Sequence, residues 1–291
     1  PMPIPPGILF ALLTAVSFAG LTTLATLYYR DGGNALTFLL FRFAFAALVL
    51  LAILRGRANP KLPRKRFLKL LALGACWSLS ITCYLASVHY IAVGIAALIL
   101  YTFPVLVLVM SLITRELHSS AALWAVFLTA FAGLALMLLP ALGEFHRAGL
   151  LFAFAAATLF AVTFFTGARF SRGLPARVVV LWITLVGFTL MAPAVYFSGA
   201  FALPATFNGW LWLSSATVLY LIGVTSQFSA LARISAAQMS MIMNVEPVIS
   251  VTLAVVFLGE RMSALQWLGA AAVLAALLCA RKVMSPGATA R

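Results

Sequence analysis

The sequence predicts an all-α integral membrane protein whose ten transmembrane helices form two five-helix repeats of inverted topology. Three observations predict this class. Hydrophobic residues make up 65% of the 291 residues and charged residues only 8%, whereas a soluble domain is about 45–50% apolar and about 25% charged. Long apolar runs recur along the chain, and its two halves resemble each other. This composition excludes a soluble enzyme and a secreted disulfide scaffold.

The apolar runs define ten predicted spans. A helix of about 20 apolar residues crosses the hydrocarbon core of a bilayer, and ten runs near this length are bounded by charged residues, glycine or proline. Two of the boundaries, at 92–94 and 235–236, are very tight turns within runs that are too long for one helix. The spans are predicted at 7–29, 35–54, 67–90, 93–113, 119–141, 149–170, 177–199, 209–231, 235–258 and 263–281.

The basic residues predict the orientation of these spans. With the N-terminus placed inside, fifteen of the 19 Lys and Arg residues fall on the inside and three on the outside, while Arg42 lies within span 2. Cytoplasmic loops of membrane proteins carry such an excess. Both termini are therefore expected in the cytoplasm, and the net charge of +14 is assigned to orientation and not to nucleic-acid binding. The first apolar run is expected to be a retained helix, since no basic segment precedes it.

The two halves of the chain indicate an internal repeat. Residues 7–30 and 149–172 share eight identities at an offset of 142. Each half contains an odd number of predicted helices, so the second half enters the membrane from the opposite side. Secondary transporters are commonly built in this way. The repeats are predicted to be residues 1–145 and 146–291.

Several features together resemble a known family. They are the two five-helix halves, the proline in the fourth helix of each half, the Arg42-Phe43 pair and the segment MNVEPVISVTLAVVFLGERMSALQWLGAA. In these features the chain is similar to the ten-helix EamA-type branch of the drug/metabolite transporter superfamily. The resemblance covers nearly the whole chain. It implies a secondary transporter of the bacterial inner membrane that exports amino acids or related metabolites by alternating access, as threonine/homoserine-type and aromatic amino acid exporters do.

The sequence also bears on several alternatives to amino acid export. A multidrug or cation exporter of the same superfamily is one alternative, although its small-multidrug type uses a carboxylate in the first helix and residues 7–29 contain none. A sugar-phosphate exchanger would need deep basic residues in the late spans, where none precedes Arg281. A passive channel is the alternative of a different class. No enzymatic activity is expected, because no paired carboxylates, HExxH motif or Ser/His dyad lies deep in a span.

Two charged residues lie deep in predicted spans, where a charge costs about 2.5–3.5 kcal/mol on insertion scales. Glu246 lies about twelve residues into span 9, and Arg42 about eight residues into span 2. In one hypothesis both belong to the substrate site, where Glu246 binds a substrate ammonium or exchanges a proton. In the other, the two charges pair with each other and only hold helices together. The sequence leaves both hypotheses open.

The remaining candidate site residues are polar or aromatic and lie deep in the spans. The polar residues match across the repeat at an offset of 143 and are expected to line a water-accessible pocket, or alternatively to join helices by hydrogen bonds; they are Tyr84, Tyr101, Gln227 and Asn244. The aromatic residues are expected to contact an apolar substrate side chain; they are Phe103, Phe160 and Trp182. Pro104 and Pro247 are predicted hinges, since each removes a helical hydrogen bond.

No metal or other cofactor is expected. The three His residues are scattered, and Cys76 and Cys83 are seven residues apart on one predicted helix. This spacing separates them by about 10.5 Å along the helix axis, too far for a disulfide. The expected partners are a small-molecule substrate, membrane lipid and, if transport is coupled, protons. A monomer is expected to function alone, because ten helices already complete an inverted pair.

Overall fold

The computed structural model describes residues 5–55, 62–138, 146–259 and 261–284. The secondary structure in these ranges is entirely helical apart from turns and short connections. The predicted boundary between residues 145 and 146 falls at the edge of a segment outside them. The helices are α1 (Pro6–Arg30), α2 (Ala35–Leu54), α3 (Arg64–Tyr90), α4 (Val93–Leu100), α5 (Phe103–Ile113), α6 (Ala121–Leu138), α7 (Arg147–Phe170), α8 (Ala176–Ser198), α9 (Phe207–Leu231), α10 (Ala236–Met243), α11 (Val245–Leu258) and α12 (Ala264–Val283).

Most of these helices can cross a bilayer. Within the described ranges, nine helical segments are long and apolar enough, with α4 and α5 forming one such segment and α10 and α11 another. The tenth predicted span corresponds to α12, in which Ala264–Ala280 is a shorter apolar helix. Large apolar side chains such as Phe197 and Ile113 are 83% and 75% exposed. Lipid accommodates such a surface whereas water does not, so this is a multi-pass membrane protein.

A helix boundary lies at each of the two tight turns that the sequence predicts. Helix α3 ends at Tyr90 and α4 begins at Val93. Before α10, the Ser235 side chain accepts a hydrogen bond from the Gln238 backbone N–H at 3.1 Å, and the Gln238 side chain accepts one from the Ser235 backbone N–H at 3.3 Å. This capping box satisfies donors that a helix start leaves unpaired, which explains why the chain can begin a new helix without a longer loop.

The two predicted hinge prolines lie beside helix breaks and not inside continuous helices. Pro104 belongs to the first turn of α5, and Pro247 to the first turn of α11. A first-turn N–H has no helical partner, so proline is tolerated there without losing a bond. The breaks come just before the prolines, because a proline cannot donate to the carbonyl four residues earlier. Those carbonyls are Leu100 and Met243, the last residues of α4 and α10.

The helices group into two compact units, and each unit combines segments from both halves of the sequence. Unit 1 consists of Pro1–Ser78 and Arg169–Arg233; unit 2 consists of Leu79–Ala168 and Ile234–Arg291. In unit 1, α1 packs along α9, and α2 packs against both α8 and α9. The close contact of α1 with α9 occurs at Gly20, where an added Cβ would lie 2.8 Å from Leu219. A larger residue at position 20 would require the end of the Leu219 side chain to move.

Unit 2 is built around three helix pairings. Helix α5 packs against α10, α6 packs against α12, and α4 contacts α6. The C-terminal part of α3 is joined to α7, since the Ser80 hydroxyl donates to the Ala156 carbonyl at 2.9 Å. An added Cβ on Gly133 of α6 would lie 2.7 Å from the Gly269 carbonyl oxygen on α12. The two backbones touch directly, as small residues permit in membrane helices.

Candidate functional site

The predicted site residues are divided between the two units. Unit 2 contains Tyr84, Tyr101, Phe103, Pro104, Phe160, Asn244, Glu246 and Pro247. Unit 1 contains Arg42, Trp182 and Gln227. The larger set, in unit 2, surrounds the two helix breaks.

The Glu246 carboxylate and the Tyr101 phenol form a side-chain hydrogen bond in unit 2. An ionised carboxylate can only accept, so the tyrosine hydroxyl donates. Glu246 lies in the first turn of α11, where the unpaired backbone N–H groups favour a negative charge. Within unit 2, no basic side chain that the structure describes contacts Glu246. The carboxylate is thus stabilised by a neutral donor and a helix start, and it retains acceptor capacity for a cationic group.

Tyr101 is held in place by the end of α4 and by apolar packing. Its backbone N–H donates to the Ala97 carbonyl at 2.9 Å, which places the residue directly after the last turn of α4. Its ring packs against the buried apolar cluster shared by α6, α11 and α12, which includes Leu134, Met137 and Val248. Tyr84 of α3 packs against a second buried apolar cluster of unit 2, which includes Ile95. The phenol is therefore positioned by several elements of unit 2.

A cluster of aromatic rings lies next to Tyr101. Phe103 is 1% exposed, and its ring centroid lies 4.9 Å from that of Phe160, edge to face, and 4.9 Å from that of Phe164. The Tyr101 ring lies 6.3 Å from Phe103. Edge-to-face and tilted contacts at these distances are favourable for aromatic rings. The arrangement places a polar hydroxyl beside an apolar aromatic cluster, and the contact of Phe103 and Phe160 with a substrate remains a prediction.

Asn244 occupies the break between α10 and α11. It is 3% exposed, and among the described residues its amide nitrogen donates one hydrogen bond, to the Met241 sulfur at 3.6 Å. Thioether sulfur is a weak acceptor. The Asn244 side-chain oxygen is buried and has no hydrogen-bond partner in the described part of the chain. A buried amide oxygen without a partner is costly, so this position can accept a hydrogen bond from a ligand or water.

Arg42 contacts aromatic rings in unit 1. The residue is 9% exposed, and its guanidinium carbon lies 4.8 Å from the Tyr220 ring centroid and 5.3 Å from the Phe43 ring centroid. Cation–π contacts of this kind stabilise a desolvated guanidinium by up to about 2 kcal/mol. Arg42 belongs to unit 1 and Glu246 to unit 2, and pairing of the two charges remains a hypothesis.

Gln227 and Trp182 have different environments within unit 1. Gln227 is fully buried, and neither atom of its amide has a hydrogen-bond partner among the described residues. Trp182 of α8 is half-buried and packs edge to face on Phe67, with ring centroids 4.7 Å apart. Their assignment to a substrate pocket remains a prediction.

Three contact residues at these positions were missed by the sequence analysis. Phe164 follows Phe160 by four residues on α7, a helical spacing that does signal a shared face. Met241 precedes Asn244 by three residues, which is also a local signal. Tyr220 is distant from Arg42 in sequence, and no local pattern connects them. No cluster of three His, Cys, Asp or Glu residues suited to a metal occurs in the described ranges.

Comparisons with known proteins agree with this architecture. A solved structure titled "Crystal structure of protein" superposes with a TM-score of 0.77 and 20% sequence identity, over 94% of this chain and 99% of that one. At this identity the similarity shows a shared fold alone. The comparison with curated proteins found no match.

The family comparison is more specific. The sequence model of the EamA-like transporter family, part of the drug/metabolite transporter superfamily, matches twice, over residues 5–139 and 147–281. The two matches together cover nearly the whole chain, one in each half. The chain therefore belongs to the EamA-like transporter family.

Proposed function

We propose that this protein exports neutral amino acids with apolar side chains, aromatic ones included, across the bacterial inner membrane by alternating access. Membership of the EamA-like family establishes a membrane transporter of small substrates. The class of substrate, the direction and the mechanism are the proposal. They are supported by the residues around the helix breaks of unit 2.

The observation that carries the proposal is the Glu246–Tyr101 hydrogen bond beside an aromatic cluster. An amino acid presents an ammonium group and, when its side chain is apolar, a hydrophobic surface. Glu246 can accept the ammonium in place of the Tyr101 hydroxyl, while Phe103 and Phe160 provide ring contacts. A well-placed ring pair adds about 0.5–1.5 kcal/mol beyond burial of area. An anionic side chain would lie near a carboxylate and be disfavoured.

The pairing of helices supports the proposed inverted repeat. Each helix of the first repeat has a counterpart at the same place in the second repeat. Thus α2 corresponds to α8, α6 to α12, and the α4–α5 pair to the α10–α11 pair. The contacts of α2 with α8, of α6 with α12 and of α5 with α10 each join such counterparts. The α1–α9 contact has its counterpart in the contact of α7 with α3 through Ala156 and Ser80. Such exchange symmetry is expected of transporters built from inverted repeats.

The matched helix breaks support alternating access. Each proline-marked span is interrupted, and in each the proline lies in the first turn of the second helical segment. Interrupted spans near the bilayer midplane are typical of transporter substrate sites. Pro104 and Pro247 are therefore proposed to mark where the two spans change direction during transport.

A counterflow assay tests the proposal. Purified protein is reconstituted in liposomes loaded with unlabelled phenylalanine, leucine, threonine, aspartate or an organic cation, and uptake of the labelled compound is followed. We expect phenylalanine and leucine to drive exchange fastest, and aspartate to be slower than either of them and slower than threonine, which is neutral but carries a hydroxyl. Glu246→Gln is expected to abolish exchange, whereas Glu116→Gln, an exposed carboxylate at the end of α5, is the matched control.

The other outcomes of this assay identify the alternatives. Faster exchange of the organic cation than of any amino acid would indicate a multidrug or cation exporter of the same superfamily. Flux without stimulation by substrate on the opposite side would indicate a passive channel. Repeating the assay with and without a pH gradient determines whether protons are coupled.

A further inference from the structure

A cavity of about 640 Å³ lies within unit 1. Its walls come from the last turns of α2, the first turn of α8 and the C-terminal part of α9. Ligand sites usually have volumes of about 300–1,000 Å³. Three helix ends therefore meet around a space that is large enough to hold part of a bound molecule.

The polar side of this cavity carries two arginines. Arg177 belongs to the first turn of α8, and its Nε is buried without a hydrogen-bond partner among the described residues. Arg233 follows α9; its Nη1 donates to the Ser229 carbonyl at 2.6 Å, and its guanidinium lies 5.0 Å from the Phe10 ring centroid. In the described ranges no acidic side chain neutralises either arginine. The start of α8 adds a partial positive charge to the same place.

The remainder of the wall is mostly apolar. Leu50 and Ile53 of α2 and Leu221 and Ile222 of α9 line it. Ile53 and Ile222 are 42% and 39% exposed, so the apolar wall continues onto the outer surface of membrane-spanning helices. A small inorganic anion would use the arginines and leave this wall uncovered. An amphiphile with an anionic head would contact both the arginines and the apolar wall.

We propose that this cavity binds one anionic phospholipid. Its phosphate lies between Arg177 and Arg233, and an acyl chain follows the Leu50 and Ile222 wall out into the bilayer. Guanidinium groups bind phosphate through charge-assisted hydrogen bonds, which are about twice as strong as neutral ones. Basic pockets between membrane helices on the cytoplasmic side bind anionic lipid head groups, and the predicted orientation places both arginines on that side.

Lipid titration of the full-length protein tests this site. The protein is purified in detergent and stripped of lipid, and its melting temperature is measured against dioleoyl phosphatidylglycerol, dioleoyl phosphatidylcholine and inorganic phosphate. Phosphatidylglycerol should raise the melting temperature at concentrations at least about tenfold lower than phosphatidylcholine does. Phosphatidylcholine is the matched control, because it has the same acyl chains but no net charge. Phosphate alone should have little effect.

Variants assign the effect to the cavity. The Arg177 Nε has no hydrogen-bond partner among the described residues, so Arg177→Gln breaks no known hydrogen bond of that atom. It should weaken the phosphatidylglycerol effect several-fold, and Arg177→Gln with Arg233→Gln should remove the preference. Arg172→Gln removes an exposed arginine near the same helix start without lining the cavity, and it should leave the preference unchanged.

Each contrary outcome overturns the proposal. Equal shifts with both lipids would show that charge is not recognised, and an equal shift with inorganic phosphate would indicate a small-anion site. An Arg177→Gln protein with an unchanged lipid preference would place the lipid elsewhere. The comparison of the wild-type protein with Arg177→Gln tests the proposal even if the double variant aggregates. Transport is not measured, so the outcome is independent of the proposed export function.

Discussion

The side chains of Tyr101 and Glu246 share a hydrogen bond between two interrupted spans of unit 2. Tyr101 comes from the first half of the sequence and Glu246 from the second, so one polar contact joins the two halves. Both residues lie next to a helix break, where backbone groups are free of helical partners. In the proposed alternating-access cycle, this contact is expected to change as the two spans change direction.

The first prediction concerns the charge of Glu246. Glu246→Gln keeps the shape of the side chain and an oxygen that can accept from Tyr101, but it cannot attract an ammonium. The protein is expected to fold, with a loss of stability of no more than about 1 kcal/mol, and to lose amino acid exchange. Melting in detergent and counterflow in liposomes are the two measurements.

Two results would contradict this expectation. Normal exchange by a well-folded Glu246→Gln protein would remove the carboxylate from the substrate site. Poor expression that is rescued by adding Arg42→Met would show that Arg42 and Glu246 stabilise each other, since an unpaired buried charge costs about 3–5 kcal/mol.

The second prediction concerns coupling between Tyr101 and Glu246. Tyr101→Phe removes the donor and leaves the carboxylate with an unfilled acceptor position, at a cost of about 1–3 kcal/mol. Glu246→Leu removes the acceptor, so the double variant Tyr101→Phe with Glu246→Leu should be less destabilised than the sum of the two single variants. A coupling energy of about 0.5–3 kcal/mol is expected for residues in contact. Additive effects would show that the hydrogen bond does not contribute. Tyr196→Phe, at a residue that is 79% exposed, is the control.

The third prediction concerns the aromatic cluster. Phe103 is 1% exposed and contacts two further rings, so Phe103→Ala should leave a cavity and cost about 3–5 kcal/mol of stability. The same change at Phe197, which is 83% exposed, should have little effect. Thermal melting of both proteins in the same detergent gives the comparison. Similar melting temperatures for the two variants would mean that the cluster is not tightly packed.

The substrate preference should respond to a milder change in this cluster. Phe160→Leu keeps the position apolar but removes a ring, so exchange of phenylalanine should fall relative to leucine. An unchanged ratio of the two exchange rates would place the substrate side chain away from Phe160.

The fourth prediction concerns the contact between α6 and α12. An added Cβ on Gly269 would clash with the Gly133 carbonyl oxygen, so Gly269→Val must separate the two backbones. Overpacking of this kind costs about 1–3 kcal/mol. Ala275→Val introduces the same residue at an exposed position of α12 and should be tolerated. If the two valine variants melt at the same temperature, the backbones do not touch at Gly269.

The fifth prediction concerns orientation. With Cys76, Cys83 and Cys279 replaced, single cysteines at positions 58 and 174 should be protected from an impermeant reagent added outside, and one at position 145 should react. Positions 58 and 145 lie outside the described residues. Reaction from outside at position 58 would reverse the predicted topology.

The structure improves one of these labelling sites. Leu174 is only 9% exposed and lines the cavity of unit 1, so a cysteine there would react slowly on either side. Arg172 is exposed two residues earlier, and Arg172→Cys therefore reports the same side of the membrane more reliably.

Hydropathy predicted where most of the spanning helices lie. The predicted spans 35–54 and 93–113 coincide with α2 and with the combined range of α4 and α5. This succeeds because the thickness of the bilayer imposes one length on every spanning helix. The exact form of the breaks was not predicted. Proline was expected to interrupt a helix from within, but the chain places each proline in the first turn of the following helix.

Local spacing predicted some of the candidate site and could not predict the rest. Glu246 was identified because a charge in an apolar span is conspicuous at the level of one residue. Its hydrogen bond with Tyr101 was not anticipated, because it depends on how α4 and α11 are rotated about their axes. The cavity around Arg177 and Arg233 was not predicted either. Both arginines were assigned to membrane orientation, and whether they share a cavity depends on how the helices are rotated about their axes.

The sequence by itself therefore determined the class of protein, the positions of its spans, the presence of a repeat and the rarity of deep charges. These properties follow from local composition measured against a bilayer of fixed thickness. The tertiary structure decided which helices pair, and so which residues meet. Lipid is as apolar as leucine, so a membrane helix need not carry a distinct apolar face toward its neighbours. Contacts such as that of Arg42 with Tyr220 are consequently determined by how the helices pack, and the periodicity of the sequence does not predict them.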